Sequence, residues 1–428
     1  MNTEKSKKLK KLKELKESKK SQKSPKIALV HDYLREYGGA ERVLEALHEM
    51  YPDAPVYVAF TDPKAMGQHW QRFENWDIHQ TWLSKIPGIK RLFSPLRILA
   101  PRAFASLDLS KFDVVISSTN AYMAKAVRVR NGKHICYCHT PPRSLYGYST
   151  MSDWKKRWWI RLPGELINHV MRIYDFQTAQ DVDVFIANSK ETARRIRKYY
   201  RRESKVIFPP VKVPDKLVVK KNAKSNHNQN LNYSQNLNHN QNLNHNQILN
   251  YNQNHNYNSY YLYVNRLALA KHPEIAVQAC SKLGLPLKVV GTGPMLDQLK
   301  ANAGPTVSFL GSVSDAELNN LYAGAKALLY PVEDEDFGMV PIEAMGHGVP
   351  VIAHASGGPL ETIVDGETGV FFEDLSVAGL VQAMQKFLAL PFDSKKVHTQ
   401  AQKYSVNEFT KKIASEVDFT AEVEFTAP

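Results

Sequence analysis

Cysteine is scarce in this chain: Cys136, Cys138 and Cys280 are the three present in 428 residues. Three thiols cannot build a disulfide framework, so the sequence points to a reducing cytoplasm rather than to a stapled secreted domain. Also missing is any apolar run of about eighteen residues, which argues against a spanning helix and a secretory leader. Acidic side chains are sparse at the start, where the first 26 residues hold eleven Lys, three Glu and no aromatic. Without aromatics to interleave, that stretch is not a nucleic-acid module. It reads as a solvated tail, with contact to anionic lipid as the other reading. What is present is an ordinary globular share of apolar residues, 43%, in a chain long enough for two domains.

After Pro25 the text changes. "KIALVHDYL" is a short apolar run, and "GGAERVLEALHEMY" follows with glycines and then helical spacing. A strand, a Gly-rich turn and a helix open a doubly wound parallel sheet. "APVYVAF", "DVVISST", "HICYCHT", "VDVFIANS" and "KVIFPPV" read as further strands of one Rossmann-like domain, residues 26–211. A Lys-rich tail, 1–25, precedes it. Residues 212–258 form an Asn/Gln-rich segment, with Gln229, Gln235, Gln241, Gln247 and Gln253 at a period of six. One Leu or Ile per repeat is too little to line a β-helix, so a disordered spacer is expected. Order resumes with "YYLYVNRLALAKHPEIAVQAC", and "LPLKVVGTGP", "VSFLGSV", "AKALLYP" and "VPVIAHAS" follow as strands of a second such domain, 259–390. Residues 391–428 read as a closing helix and tail. Two such sheets in tandem are expected to turn their strand ends toward a shared cleft.

The stretch "EDFGMVPIE" carries the densest chemistry. "ALLYP" ends a strand, so Glu335 falls in a loop at its carboxyl end. Pro341 marks a helix start, and Glu343 is expected in the first helical turn. The backbone N–H groups of Phe337, Gly338, Met339 and Val340 lead into a helix N-terminus, which favours a diphosphate. A carboxylate cannot stabilise phosphate, so both glutamates are expected to accept from sugar hydroxyls. Arg266 and Lys271, in the turn after the first strand of the same domain, supply a fork and a point charge for a diphosphate without a metal. Gly291 in "GTGP" offers close backbone approach, a weak signal alone. In "HICYCH", His134, Cys136 and Cys138 share one face of a strand while His139 points elsewhere. No second pair closes a tetrahedral zinc site, so buried thiols are expected and no metal. His139, before Thr-Pro-Pro, is placed at a sheet edge facing the cleft.

"GGAERV", "CYCHTPPR", "FIANS", "NRLALAK", "VVGTGP", "FLGSVSDAEL" and "EDFGMVPIEAMGHGVPVIAHASGGPLETIVDGETG" occur in the order of the retaining glycosyltransferases of family four. The chain resembles their mannosyltransferase-like branch from Lys26 to about Phe409, outside the Asn/Gln insertion. The resemblance implies a GT-B fold, two Rossmann-like doubly wound domains facing a central cleft. It implies hexosyl transfer, mannosyl by preference, from a nucleotide-diphospho-sugar such as GDP-mannose to a glycan or lipid-linked hydroxyl. By the same resemblance Glu335 holds the donor hexose, Glu343 the ribose, and Arg266 and Lys271 the leaving diphosphate. Gly38 and Gly39 approach the phosphates, and His139 contacts the sugar near its reacting carbon. The base is expected near Phe309, Leu310 and Asp315. No cofactor is implied. Asn265 stands where many relatives carry Gly or Ser, which alters the turn before Arg266 but not its spacing from Lys271.

Other readings stay open at this point: a UDP- or ADP-sugar donor, a sugar-nucleotide epimerase, or a non-catalytic sugar-binding protein. A dehydrogenase lacks support, since "HDYLREYGGAE" has no three-glycine fingerprint. "KIPGIKRLFSPLRILAPRAF" and "WKKRWWIRL" interleave Arg and Lys with aromatics and leucines. They suit peripheral contact with the inner face of an anionic membrane as well as they suit helices with one core side and one solvated side.

Overall fold

A computed structural model describes residues 25–148, 158–217 and 260–423. The Lys-rich tail through residue 24, nearly all of the Asn/Gln segment, and the start of "WKKRWWIRL" lie outside the described residues.

Among the described residues, short β-branched and aromatic runs form thirteen strands. They are β1 (Ile27–His31), β2 (Val56–Val58), β3 (Ile78–Gln80), β4 (Val114–Thr119), β5 (Lys133–Cys138), β6 (Val184–Ala187), β7 (Lys205–Val206), β8 (Tyr260–Val264), β9 (Leu287–Val290), β10 (Val307–Gly311), β11 (Ala325–Tyr330), β12 (Val351–His354) and β13 (Gly369–Phe372). Seven make one sheet in the order β3-β2-β1-β4-β5-β6-β7, and six make another in the order β10-β9-β8-β11-β12-β13. Every strand pairing within them is parallel. Both orders reverse once, between β1 and β4 in the first lobe and between β8 and β11 in the second. Ligands of open α/β sheets bind at the carboxyl ends beside such a reversal. The fold is the two-lobed GT-B arrangement that the sequence implied.

The two edge strands β3 and β13 are additions to the sequence reading. β3 is "IHQ", largely exposed, and β13 is four residues long. Neither offers the long buried run that marks a central strand.

Helices cover both faces of each sheet. Those used below are α1 (Gly39–Met50), α2 (Trp158–Gln180), α3 (Lys190–Tyr200), α4 (Pro273–Leu283), α5 (Asp315–Gly324), α6 (Met339–Gly346), α7 (Val377–Leu388), α8 (Ser394–Gln402) and α9 (Val406–Val423). α4 and α7 pack Ile275, Val277, Leu380 and Met384 into the second lobe's core. The region after Pro391 holds two helices where the sequence suggested one. α8 packs with α6 in the second lobe. α9 returns to the first, where Phe409, Ile413 and Val417, four residues apart, enter the core beside Leu29 and Leu47. The lobes are thus stitched twice, and Val211 bridges Ser405 where the two crossings meet.

Candidate active site

The strand ends of both sheets face one cavity of about 420 Å³. His31, Asn120 and His139 line it from the first lobe, and Arg266, Lys271 and Glu335 from the second. Gly38, Gly39 and the Phe337 to Val340 stretch complete its wall.

In the second lobe the loop after β11 is shaped by backbone contact. A Cβ on Gly357, at φ +63, would stand 2.1 Å from the Glu335 carbonyl, and Gly358 donates its N–H to that carbonyl at 2.8 Å. Only a residue without a side chain fits there, so the "GGP" turn after β12 clasps the Glu335 loop. Glu335 is mostly buried. Lys271 donates to it at 2.5 Å and the Tyr330 hydroxyl at 2.9 Å. Burial alone would raise this carboxyl, but Lys271 and Arg143, with the two hydrogen bonds, hold it at about 2. Lys271 and Glu335 therefore neutralise each other across the cavity wall. Arg266 is half-exposed and pairs with Glu36 of the first lobe.

α6 begins two residues earlier than the sequence suggested, with Gly338 as its N-cap at φ +84. Pro341 is the third helical residue and Glu343 the fifth, so Glu343 sits in the second turn rather than the first. Its carboxylate accepts from Arg42 of α1 and from the Tyr322 hydroxyl at 2.9 Å. Glu343 and Asp315 line a neighbouring pocket of about 380 Å³, which Arg42 and Tyr37 share with the cavity above. Asp315 opens α5 and accepts from Arg72 of the first lobe at 2.7 Å.

Three further anticipated donor residues are brought to neither the cavity nor its neighbouring pocket. Phe309 packs against the second lobe's core, and Leu310 on the same edge strand is exposed to solvent. Gly291 is needed for another approach: its Cβ would lie 1.9 Å from the carbonyl of Asn265. It lets β9 close onto β8 and does not face the cavity.

Behind the glycine turn, the first lobe's strand ends are bonded within their own lobe. Asp32 accepts backbone N–H bonds from Asn120, Tyr122 and Ala124, each at 2.9 Å, which fixes the loop after β4. His139, just past β5, is 7% exposed and bonds through Nε2 to Ser118 Oγ at 2.8 Å. Burial, and then His31, push its imidazole down to about 3, so it is neutral at ordinary pH. His134, Cys136 and Cys138 are all buried along β5, the cysteines as free thiols.

The sequence reading missed a set of interlobe side chains. Asp336 receives Arg143 at 3.0 Å and Arg195 at 2.5 Å, and both guanidiniums also reach the Asp334 carbonyl. Arg195 belongs to the basic helix α3, yet its side chain is 2% exposed. Glu361 of the second lobe accepts from the Lys190 and Glu191 N–H groups at the start of α3, at 2.8 and 2.9 Å. These partners are far apart in sequence; Arg143, Asp336 and Glu361 stood inside quoted motifs, but nothing local paired them across the lobes.

Known proteins match along the same lines. A family described as Glycosyltransferase Family 4 matches residues 37–213, and Glycosyl transferases group 1 matches residues 229–404. The alpha-1,3/1,6-mannosyltransferase alg2 of Schizosaccharomyces pombe is 26% identical over 375 residues, covering 80% of this chain and 70% of that protein. A GDP-mannose-dependent alpha-mannosyltransferase of Mycolicibacterium smegmatis is 36% identical over 112 residues, a local match of 26% of this chain and 29% of that one. Among solved structures, Anabaena HepE with UDP-glucose has TM-score 0.61 at 18% identity, covering 92% of this chain and 99% of its own, a likeness of fold. With both lobes matched in chain order and the strand ends converging on one cavity, the chain belongs to the group 1 glycosyl transferases of family-four type, a GT-B glycosyltransferase of the mannosyltransferase-like branch.

Proposed function

We propose that this enzyme moves a mannosyl group from GDP-mannose to a hydroxyl of a glycan or lipid-linked acceptor, with retention and without a metal. The observation that carries this reading is the meeting of Lys271, Glu335 and His139 on one cavity between the lobes. Lys271 already holds a carboxylate, and a diphosphate is a stronger partner for it; Glu335, once released, accepts from hexose hydroxyls. Arg266 adds a forked donor near the same phosphates, and the N–H groups at the start of α6 supply further positive potential. Glu343, one helical turn on, is set to accept from the ribose in place of Arg42. His139 stands toward the reacting carbon, and the carboxylates described on the cavity, Asp32, Glu41, Glu335 and Asp336 among them, already hold backbone N–H groups or cations. Retention then follows from same-face attack, with the departing phosphate taking the acceptor's proton. Stabilising that charge in a closed, dry cleft is where the rate is gained. The local match to a GDP-mannose-dependent relative supports the choice of donor.

Peripheral contact with the inner face of an anionic membrane is part of the proposal. Residues 82–105 carry Lys85, Lys90, Arg91, Arg97 and Arg102 and no acid. Arg97 ties that segment to α2 through Asn168 at 2.6 Å. Along α2, Leu162, Leu166, Ile173 and Phe176 are exposed by 72, 67, 49 and 36%, at spacings that share one helical face. Among the described residues no helix is long and apolar enough to cross a membrane.

The test is release of nucleoside diphosphate that depends on an acceptor, after a melting-temperature screen with GDP-mannose, UDP-sugars and ADP-sugars. GDP-mannose should give the largest rise, and His139→Ala should abolish transfer. Full turnover in His139→Ala, or a rise with UDP-sugars alone, would refute the site or the donor respectively. Vesicles of phosphatidylglycerol should sediment the protein where phosphatidylcholine vesicles do not.

A further inference from the structure

Three neighbouring strands bring a buried polar chain to His139. His31 ends β1 and is the register partner of Ser118 on β4, and Ser118 in turn is paired with Tyr137 on β5, two residues before His139. In parallel strands such partners point to the same face. The contacts run from Glu41 Oε1 to His31 Nε2 at 3.5 Å, from His31 Nδ1 to Ser118 Oγ at 3.1 Å, and from Ser118 Oγ to His139 Nε2 at 2.8 Å. The four side chains are 5, 2, 0 and 7% exposed as residues. The other oxygen of Glu41 accepts from the Gly38 N–H at 2.8 Å, in the glycine turn that lines the cavity.

We propose that Glu41, His31 and Ser118 are positioning residues that hold His139 as its Nε2–H tautomer and couple its orientation to the glycine turn. This rests on the reading of His139 as the group beside the reacting sugar. The direction of the chain follows from what each atom can do. A carboxylate only accepts, so the hydrogen between Glu41 and His31 sits on Nε2 of His31. Taken with that single ring hydrogen, His31 offers a lone pair at Nδ1, and the one hydroxyl proton of Ser118 goes there; a second hydrogen on Nδ1 would reverse the chain, which is what the tautomer measurement below tests. With that proton committed, the Ser118 oxygen accepts from His139, which places the hydrogen on Nε2. Nδ1 of His139 is left as a lone pair, an acceptor for a sugar hydroxyl rather than a donor to it. The strongly lowered basicity of His139 fits, since the ring remains neutral and has to choose one tautomer. The same Glu41 carboxylate anchors Gly38, so a shift of the phosphate-facing turn is felt at His139 through rigid hydrogen bonds.

The chain is broken by Ser118→Ala and restored by Ser118→Thr, whose hydroxyl occupies the same position on a β-strand. Imidazole nitrogen NMR of the histidine-labelled full chain, with His139 assigned from its absence in His139→Gln, reads the tautomer directly. We expect a single Nε2–H form in the wild type and in Ser118→Thr, and a mixture or the Nδ1–H form in Ser118→Ala. In kinetics Ser118→Ala should lower kcat on the order of 10²-fold, as misplacement of a reacting group does, with KM for the donor little changed. Ser118→Thr should recover most of the loss. An Nδ1–H wild type, or an unchanged tautomer and rate in Ser118→Ala, would overturn the positioning role. Activity surviving in His139→Ala would instead overturn the reading of His139 itself, while the tautomer measurement would still report on the chain.

Discussion

The two lobes bring opposite kinds of surface to the same cavity. At the first lobe's strand reversal the polar groups satisfy one another: Asp32 takes three backbone N–H groups, and His31, Ser118 and His139 form a buried hydrogen-bonded chain that ends on Glu41. At the second lobe's reversal the groups are ionic: Lys271 pairs with Glu335 beside it, while Arg266 and Glu343 pair with Glu36 and Arg42 across the cleft. A buried network with every member satisfied is rigid and costly to disturb. An ion pair at a wet cleft can change partner, because another anion or cation repays what is lost. The first lobe is therefore built to orient, and the second to exchange counter-ions for a charged ligand.

The largest effect should come from breaking the exchangeable side. Lys271→Ala removes the cation proposed to meet the diphosphate, and kcat/KM in the acceptor-dependent release assay should fall by about 10²–10³. Loss of only a few-fold would mean that the second lobe's charges serve structure instead.

The next effect concerns closure. Arg195→Met leaves Asp336 with Arg143 alone, at a cost of about 1.5–3 kcal/mol for a charged hydrogen bond. We expect KM for the donor to rise by roughly tenfold, since 1.4 kcal/mol is a factor of ten. Small-angle scattering should show a larger radius of gyration for the empty enzyme. An unchanged radius would show that the stitching by α9 holds the lobes without this clamp.

Acid separates the lobes by window. The imidazoles of His139 and His134 sit at about 3 in the fold against 6.5 otherwise, and the Glu335 carboxyl at about 2 against 4.5. Between pH 6.5 and 3 the unfolded chain binds protons that the folded histidines refuse, so stability falls as pH drops through that range. Glu335 contributes stability that is complete above pH 4.5 and is lost as pH falls toward 2. In melting curves, His139→Gln should flatten the decline between pH 6.5 and 4.5, and Glu335→Gln only the decline below 4.5. A His139→Gln variant with the wild-type slope above pH 4.5 would contradict the buried neutral ring.

The smallest effect lies where the lobes touch. A Cβ on Gly39 would stand 3.2 Å from the Met339 sulfur, a contact that a flexible thioether relieves by moving. Gly39→Ala should change kcat/KM by no more than about threefold, given how readily Met repacks. A much larger loss would show that this turn has to come nearer still when the donor is bound.

Part of this site is legible in the amino-acid sequence. Glu335, Lys271 and Arg266 follow strand ends in their own sequence neighbourhood, and strand–loop–helix order is a local signal. The boundary of α6 was misplaced because Pro341 is tolerated anywhere in the first turn, not only at its first position. Phe309 and Leu310 were drawn toward the base by motif order, but an edge strand directs them to the core and to solvent. Arg42, Arg195 and Asp336 were out of reach of sequence, since each acquires its meaning from a partner on the other lobe. Arg195 shows it best: Arg194, Arg195, Arg197 and Lys198 on one helix look alike until one of them is buried against Asp336.

The sequence by itself determined the two parallel sheets, their strand–helix alternation and the local loops that carry charge, because apolar period and turn residues act over a few positions. Only the tertiary structure decided which of those charges meet, that β1, β4 and β5 would align His31, Ser118 and His139, and that α9 would return to the first lobe. Pairing between strands and lobes depends on packing and register over hundreds of residues, and a hydrogen bond between two side chains exists only once both backbones have been placed.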